Sequence, residues 1–296
     1  MTFTNCVGGT AKLNTGFSIP MVGLGTYKIV GQDTITIAVD AALKAGYRLF
    51  DTAKYYVNEP ELGVALQELL PKYNLKREEV FITTKFFLAE TNNAEHARKM
   101  LDESLRDLRT EYLDLVLIHY PKADISKNDD PRNQENRKDA YLELEKLKDE
   151  HKIRSIGVSN YEVKHIKEIR NFGQMMPAVN QVEFHPHFTR NELRDYCKSE
   201  GIFFQAYSSL ARNHPDLMCD STVVEIAKIH NSTPQLVVLA WALSLGIGII
   251  PKSANPERVI DNFKVVDMKL TKEEIERITE LNRNKNYIRC DGWNVD

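Results

Sequence analysis

Four residues of this chain have side chains that could act together on a carbonyl group: Asp51, Tyr56, Lys85 and His119. Asp51 follows the apolar pair Leu49 and Phe50, Lys85 follows the β-branched run 80–84, and His119 follows the apolar run 113–118. Tyr56 lies on the turn after Asp51. A phenol is a weak acid, with an ordinary pKa of about 10. An adjacent ammonium lowers that value, and a carboxylate holds the lysine in place and keeps it charged. Imidazole supplies a donor that orients a carbonyl oxygen. Together the four form a proton-donating pocket suited to reducing a carbonyl by hydride transfer. Taken singly, each has a plainer reading as a packing residue or half of an ion pair, so the combination carries the assignment.

Such residues must be brought together by the elements that carry them. Asp51, Lys85 and His119 recur at intervals of 34 residues. A helical solenoid could share that period, but each interval holds one short apolar strand and one helical pattern, which points to successive βα modules of a parallel sheet. The first strand falls at 21–25, and Asp33 is expected to cap a helix ending at Gly46. Asn58, with Glu61 three residues on and Pro60 in the first turn, is expected to be the N-cap opening the next helix. Further strands are expected at 113–118, 153–158, 178–182, 202–206 and 247–250, with helices between them and a last helix at 273–281. Residues 122–138 are polar and aperiodic and read as a long surface loop. Residues 11–20 read as a hairpin plugging the fold, and the tail after Arg289 as a flap over its mouth. Eight strands alternating with helices, without a Pro-rich or Gly/Ser-rich linker, favour one closed (β/α)8 barrel domain over residues 1–296.

Composition narrows the partners. A net charge of −3 with mixed signs argues against a protein that works by neutralising nucleic-acid phosphates. No apolar run is long enough to span a bilayer, since 237–250 is broken by Gly246 and Gly248. The amino terminus lacks the pattern of a signal peptide. Cys6, Cys197, Cys219 and Cys290 are scattered without metal-ligand spacing, as in a cytosolic protein with reduced thiols. A cytoplasmic monomer acting on a small carbonyl compound, with no metal, is the expectation.

The motifs at 51–59 (Asp-Thr-Ala-Lys-Tyr-Tyr-Val-Asn-Glu), 82–85 (Ile-Thr-Thr-Lys), 117–121 (Leu-Ile-His-Tyr-Pro), 157–161 (Gly-Val-Ser-Asn-Tyr), 180–186 (Asn-Gln-Val-Glu-Phe-His-Pro), 206–208 (Ala-Tyr-Ser) and 250–253 (Ile-Pro-Lys-Ser) resemble those of the aldo-keto reductase family, in its order. The resemblance runs from about residue 23 to 289. It implies a barrel that uses NADPH without a Rossmann domain, and Gly23 and Gly25 indeed lack the third glycine of a dinucleotide fingerprint. It makes Tyr56 the general acid, Lys85 and Asp51 its tuning pair, and His119 the group that orients the carbonyl. It places Ser159, Asn160 and Gln181, with Asp51, at the nicotinamide, and Tyr207 against the nicotinamide face. Thr26 and Tyr27 fall beside the same ring, and Ser208 and Leu210 belong to the loop that follows Tyr207. Lys252, Ser253, Arg258 and Asn262 fit the spacing Lys-Ser-x4-Arg-x3-Asn that meets the 2′-phosphate and adenine.

The chain departs from the family pattern in several places, among them a polar loop after Lys122 and a tail after Arg289 that are short relative to the mammalian members. It has Tyr-Ser-Ser-Leu-Ala at 207–211 where many members have Tyr-Ser-Pro-Leu-Gly. Tyr27, Phe87 and Tyr120 stand where relatives often carry tryptophans lining the substrate pocket. Two other readings stay open on sequence grounds. One is a Schiff-base aldolase using Lys85, and the other a barrel kept for binding alone.

Overall fold

The computed structural model describes residues 6–296. The amino-terminal stretch read above for a leader therefore lies, apart from Cys6, outside the described residues. A hairpin comes first. Strands β1 (Thr10–Lys12) and β2 (Ser18–Pro20) pair antiparallel with Ala11 opposite Ile19, joined through a turn in which Gly16 has φ 85°, a conformation that costs glycine nothing. Eight parallel strands follow: β3 (Leu24–Gly25), β4 (Leu49–Asp51), β5 (Phe81–Leu88), β6 (Leu113–Ala123), β7 (Ile153–Ser159), β8 (Val179–Glu183), β9 (Phe203–Tyr207) and β10 (Gly248–Ile249). They lie side by side in chain order in one sheet. Its two edges meet through parallel bridges Val22 to Ile249 and Gly25 to Lys252, which close it into a (β/α)8 barrel.

Helices α1 (Gln32–Ala45), α2 (Glu59–Lys72), α3 (Asn93–Asp107), α4 (Arg132–Asp149), α5 (Val163–Phe172) and α6 (Asn191–Ser199) each connect one strand to the next. Between β9 and β10 run α7 (Pro215–Met218), α8 (Ser221–Ile229) and α9 (Pro234–Ser244). After β10 come α10 (Pro256–Phe263) and α11 (Lys272–Thr279).

Side chains alternate across each strand, and the core divides accordingly. Phe50, Ile82, Val116 and Ile118 face outward into the layer between sheet and helices. Leu49, Phe81, Leu115 and Leu117 face inward, where Leu13 and Ile19 of the hairpin join them. The hairpin thus plugs the barrel's amino-terminal end with apolar side chains. Gly157 on β7 is part of the same fit, because a Cβ there would stand 2.7 Å from the Leu117 side chain and 2.6 Å from the Val179 carbonyl. Continuing the inward phase in steps of two residues reaches Asp51 on β4, Thr83 and then Lys85 on β5, and His119 on β6, toward the opposite, carboxyl-terminal end.

Several expectations are corrected. Asp33 is not a cap: Gly31 precedes α1 and no side chain caps it. Asn58 does stand at the N-cap of α2, but its side chain does not cap the helix. Its amide donates to the carbonyls of Thr26 and Ile29, both at 2.9 Å, and accepts from the Thr52 hydroxyl at 2.7 Å, so it ties two βα loops together. β5 and β6 run on past Lys85 and His119 rather than ending there. The polar stretch 122–138 is not all loop, because α4 begins at Arg132. Its buried face carries Asn133, Asn136 and Arg137, which gave no apolar period to read.

Arg137 is 1% exposed. Its guanidinium donates to both carboxylate oxygens of Glu168 at 2.8 Å, and to the carbonyls of Pro121 at 2.8 Å and Asp296 at 2.9 Å. This one side chain joins α4, α5, β6 and the carboxyl-terminal tail. Arg137→Leu leaves these acceptors without their donor and is expected to cost about 3–5 kcal/mol. Urea unfolding measures it as a lowered midpoint at an unchanged slope.

Candidate active site

The site is built on the ends of β4, β5, β6, β7, β8 and β9. Asp51 and Lys85 are 1% exposed. The Lys85 Nζ donates to Asp51 Oδ1 at 2.7 Å, to the Thr52 carbonyl at 2.8 Å and to the Tyr56 hydroxyl at 3.4 Å. The other Asp51 oxygen accepts from Gln181 Nε2 at 2.8 Å, and that amide also donates to Gln205 at 2.8 Å. Burial raises the Asp51 carboxyl and lowers the Lys85 ammonium, and the attraction between the two charges opposes both shifts.

Tyr56 sits on a short 3-10 turn, Lys54–Tyr56, that stops where Val57 turns left-handed at φ 54°. Lys54 anchors this turn by pairing with Glu59 at 3.1 Å and Asp107 at 3.0 Å. Burial, then the charge of Asp51, lifts the Tyr56 phenol well above its ordinary value. Sequence reasoning expected Lys85 to lower it. The ammonium is in place, but the Asp51 carboxylate, 2.7 Å from it, offsets its field at the phenol. Burial and the Lys85 charge hold the His119 imidazole well below its ordinary value, hence neutral. His119 stacks on Phe87 at 4.5 Å and meets the Tyr56 ring edge-on at 6.0 Å. Among the described residues its Nδ1 has no hydrogen-bond partner.

A second network lies beside the first. Ser159 Oγ donates to the Gln181 carbonyl at 2.7 Å. The Asn160 amide donates to the His119 carbonyl at 3.0 Å and to Ser159 Oγ at 3.2 Å. The Tyr207 hydroxyl donates to Asn160 Oδ1 at 2.6 Å. Asn160 itself has φ 62°, a left-handed conformation that asparagine tolerates.

These groups line a cavity of about 490 Å³. Of the sequence-chosen residues, Tyr27, Asp51, Tyr56, Phe87, His119, Ser159, Asn160, Gln181, Tyr207, Ser208, Leu210 and Lys252 line it. Lys85, Thr26, Tyr120, Ser253, Arg258 and Asn262 do not. Thr26 is fully buried, and its hydroxyl donates to the Asp51 carbonyl at 2.9 Å, so it supports the site from behind. Ser253 Oγ is engaged within its own turn, accepting from the Asn255 N–H at 3.1 Å. Arg258 is exposed in the first turn of α10, and Asn262 is half-buried on the same helix.

Sequence reasoning missed Lys28, Tyr55, Arg212, Ile288 and Cys290, which also line the cavity. Lys28 follows the first strand and could have been found from that position. Arg212 lies in a run, Ala211, Arg212 and Asn213, with φ 48°, 54° and 57°, which no local signal announces. Ile288 and Cys290 arrive from the tail. Lys28 and Lys252 both line the cavity, and burial together with the charge of Lys28 lowers the Lys252 ammonium.

The arrangement can donate a proton to an oxygen set between Tyr56 and His119, and it offers amides, hydroxyls and two cations to a polar anionic ligand. Comparison with known proteins agrees on the family. Residues 21–283 match the model of the Aldo/keto reductase family. The chain is 39% identical to a glyoxal reductase of Bacillus subtilis, over 93% of this chain and 94% of that one. It is 38% identical to aldose reductase B of Dictyostelium discoideum, over 93% of each. Among solved structures, an aldo-keto reductase enzyme from a Medee basin deep-sea metagenome library superposes with a TM-score of 0.85 at 35% identity, covering 97% of this chain and 100% of that one. The aldose reductase of Schistosoma japonicum gives 0.85 at 36%, covering 94% and 93%. With a barrel of this kind, this pocket and a match over most of its length, the chain belongs to the aldo/keto reductase family.

Proposed function

We propose that the chain reduces aldehydes and ketones to alcohols with NADPH, with Tyr56 giving the proton to the carbonyl oxygen. The observation that carries this reading is the Tyr56 hydroxyl, which lies in the cavity 3.4 Å from the buried ammonium of Lys85. The residues present suit a dinucleotide. Ser208 Oγ is buried on the cavity wall without a partner among the described residues, and Lys28 and Lys252 bring two cations to the cavity, neither of them paired with a carboxylate among the described residues. A phosphate dianion answers that need through charge-assisted hydrogen bonds. When bound, NADPH supplies a hydride to the carbonyl carbon.

Everything else falls to the chain. Both Gln181 N–H groups are taken by Asp51 and Gln205, which leaves its carbonyl oxygen to accept from the carboxamide. Ser159 and Asn160 complete that contact, and Tyr207 forms the wall behind the ring. Neutral His119 orients the substrate oxygen by an N–H donor while Tyr56 protonates it as charge develops there. Tyr27, Phe87 and the exposed Tyr55 form an aromatic rim for the substrate. The aldolase reading is disfavoured, because the Lys85 nitrogen is fully engaged in three hydrogen bonds and closed to solvent.

Reduction requires a protonated Tyr56 and a neutral His119. The phenol is raised from 10.0 and the imidazole lowered from 6.5. Between those two values both groups therefore hold the required state, and kcat for reduction is expected to be flat across that interval. Tyr56→Phe should lower kcat by about 10²–10⁴-fold while NADPH still binds, as followed by quenching of intrinsic fluorescence. Substantial turnover in that variant, or a wild-type profile falling inside the interval, would contradict the assignment.

NADPH and NADH differ only at the 2′-phosphate, so preference must come from groups that meet it. Lys252 lines the cavity, and Arg258 stands six residues on, in the first turn of α10. Losing one charge-assisted bond is worth about 1.5–3 kcal/mol, roughly tenfold to a hundredfold in affinity. Lys252→Met and Arg258→Met are each expected to weaken NADPH binding by about that factor and leave NADH binding and kcat unchanged. Equal losses for both cofactors in a fluorescence titration would place these residues in a structural role.

A further inference from the structure

We propose that Glu183 sets the carbonyl selectivity of the site from outside the cavity, by fixing the carboxyl-terminal strap whose Ile288 and Cys290 wall it. The inference rests on the reductase reading above. Glu183 ends β8, two residues beyond Gln181, and is 3% exposed. Its Oε1 accepts from the Tyr287 N–H at 2.6 Å and lies 3.0 Å from His185 Nε2, and its Oε2 accepts from the Ile288 N–H at 3.2 Å. A buried carboxylate needs donors to both oxygens, and here the strap supplies them.

The strap is held on either side of that point. Before it, the N–H groups of Arg283 and Lys285 donate to the His187 carbonyl at 3.1 and 3.0 Å, and the Tyr287 hydroxyl meets His187 Nδ1 at 2.8 Å. After it, Gly292 presses on β7's end so closely that a Cβ would stand 2.0 Å from the Asn160 carbonyl. Among the described residues, the Tyr287 and Ile288 N–H groups are the only backbone groups of 286–291 that hydrogen-bond to a barrel strand, and both go to Glu183. Ile288 and Cys290 reach the cavity from this same segment. Glu183 itself does not line the cavity, so it acts as a positioning residue.

An amide at this position presents an N–H₂ to one of two N–H groups that both need an acceptor. Glu183→Gln is therefore expected to free the strap at 287–288 without disturbing the proton-donating residues. Hydrogen exchange followed by mass spectrometry should show the amides of Tyr287 and Ile288 exchanging faster than in the wild type. In steady state with NADPH, KM for 4-nitrobenzaldehyde, which is broad enough to touch the wall, should rise about tenfold, the contribution of one apolar side chain. KM and kcat for methylglyoxal, and NADPH binding, should stay as they are. Ile288→Ala removes wall while keeping the Glu183 contact. It should raise the same KM, and adding Glu183→Gln to it should raise it little further.

Unchanged exchange at 287–288, or an equal loss for both aldehydes and for NADPH binding, would overturn the proposal. If the wild type oxidises NADPH with neither aldehyde, the reductase reading falls instead. The exchange measurement still reports separately whether Glu183 holds the strap.

Discussion

A lysine and an aspartate taken out of water together lose several kcal/mol of hydration each, and recover it only where every donor and acceptor finds a partner. The Asp51–Lys85 pair meets that condition. Its lysine is met by a carboxylate, a carbonyl and a phenol, and its aspartate by the lysine and the Gln181 amide. Removing either partner leaves a buried charge uncompensated, with a cost of about 3–5 kcal/mol. The surrounding structure is arranged to keep the pair complete. Thr26 holds the Asp51 carbonyl, Asn58 holds the loop that carries Thr26, and Gln205 holds Gln181.

The same pair explains why the barrel has two unlike ends. Inward-facing positions at the amino-terminal end are filled by Leu49, Phe81, Leu115 and Leu117 and closed by the hairpin residues Leu13 and Ile19. Further along β5 the inward positions become Thr83 and Lys85, two and four residues beyond Phe81, and on β6 His119, two beyond Leu117. With an apolar plug below, the polar layer can be approached only from the mouth. There the loops and the carboxyl-terminal strap shape the cavity. Asp51, Lys85 and His119 thus sit toward strand ends and Tyr56 on the turn after β4, whereas Arg212, Ile288 and Cys290 reach the cavity from a loop and the strap.

Much of this was legible in sequence because strands hand over to polar residues at one phase. The interval of 34 residues between Asp51, Lys85 and His119 marks the repeating βα unit, and all three stand at inward-facing positions toward the carboxyl-terminal ends of neighbouring strands. What escaped did so where long-range pairing replaces local pattern. The amino-terminal half of α4 carries Arg137 inward, and only Glu168 and the tail, far away in sequence, make that burial sensible. Asn58 looks like a helix cap, but it bonds to distant carbonyls. The Tyr56 phenol is raised and not lowered, because burial and the neutralising effect of Asp51 on Lys85 are set by the fold and not by residue order. Ile288 and Cys290 enter the cavity through a fold-back of the tail that no local signal specifies.

The central claim is that Asp51 and Lys85 act as one unit in presenting the Tyr56 proton. A double-mutant cycle of Asp51→Asn, Lys85→Met and the two together, read as kcat/KM for one aldehyde with NADPH, measures this directly. If the pair is one unit, the double variant is expected to be no slower than the slower of the two single variants. Losses that multiply in the double variant would show two independent contributions and contradict the account.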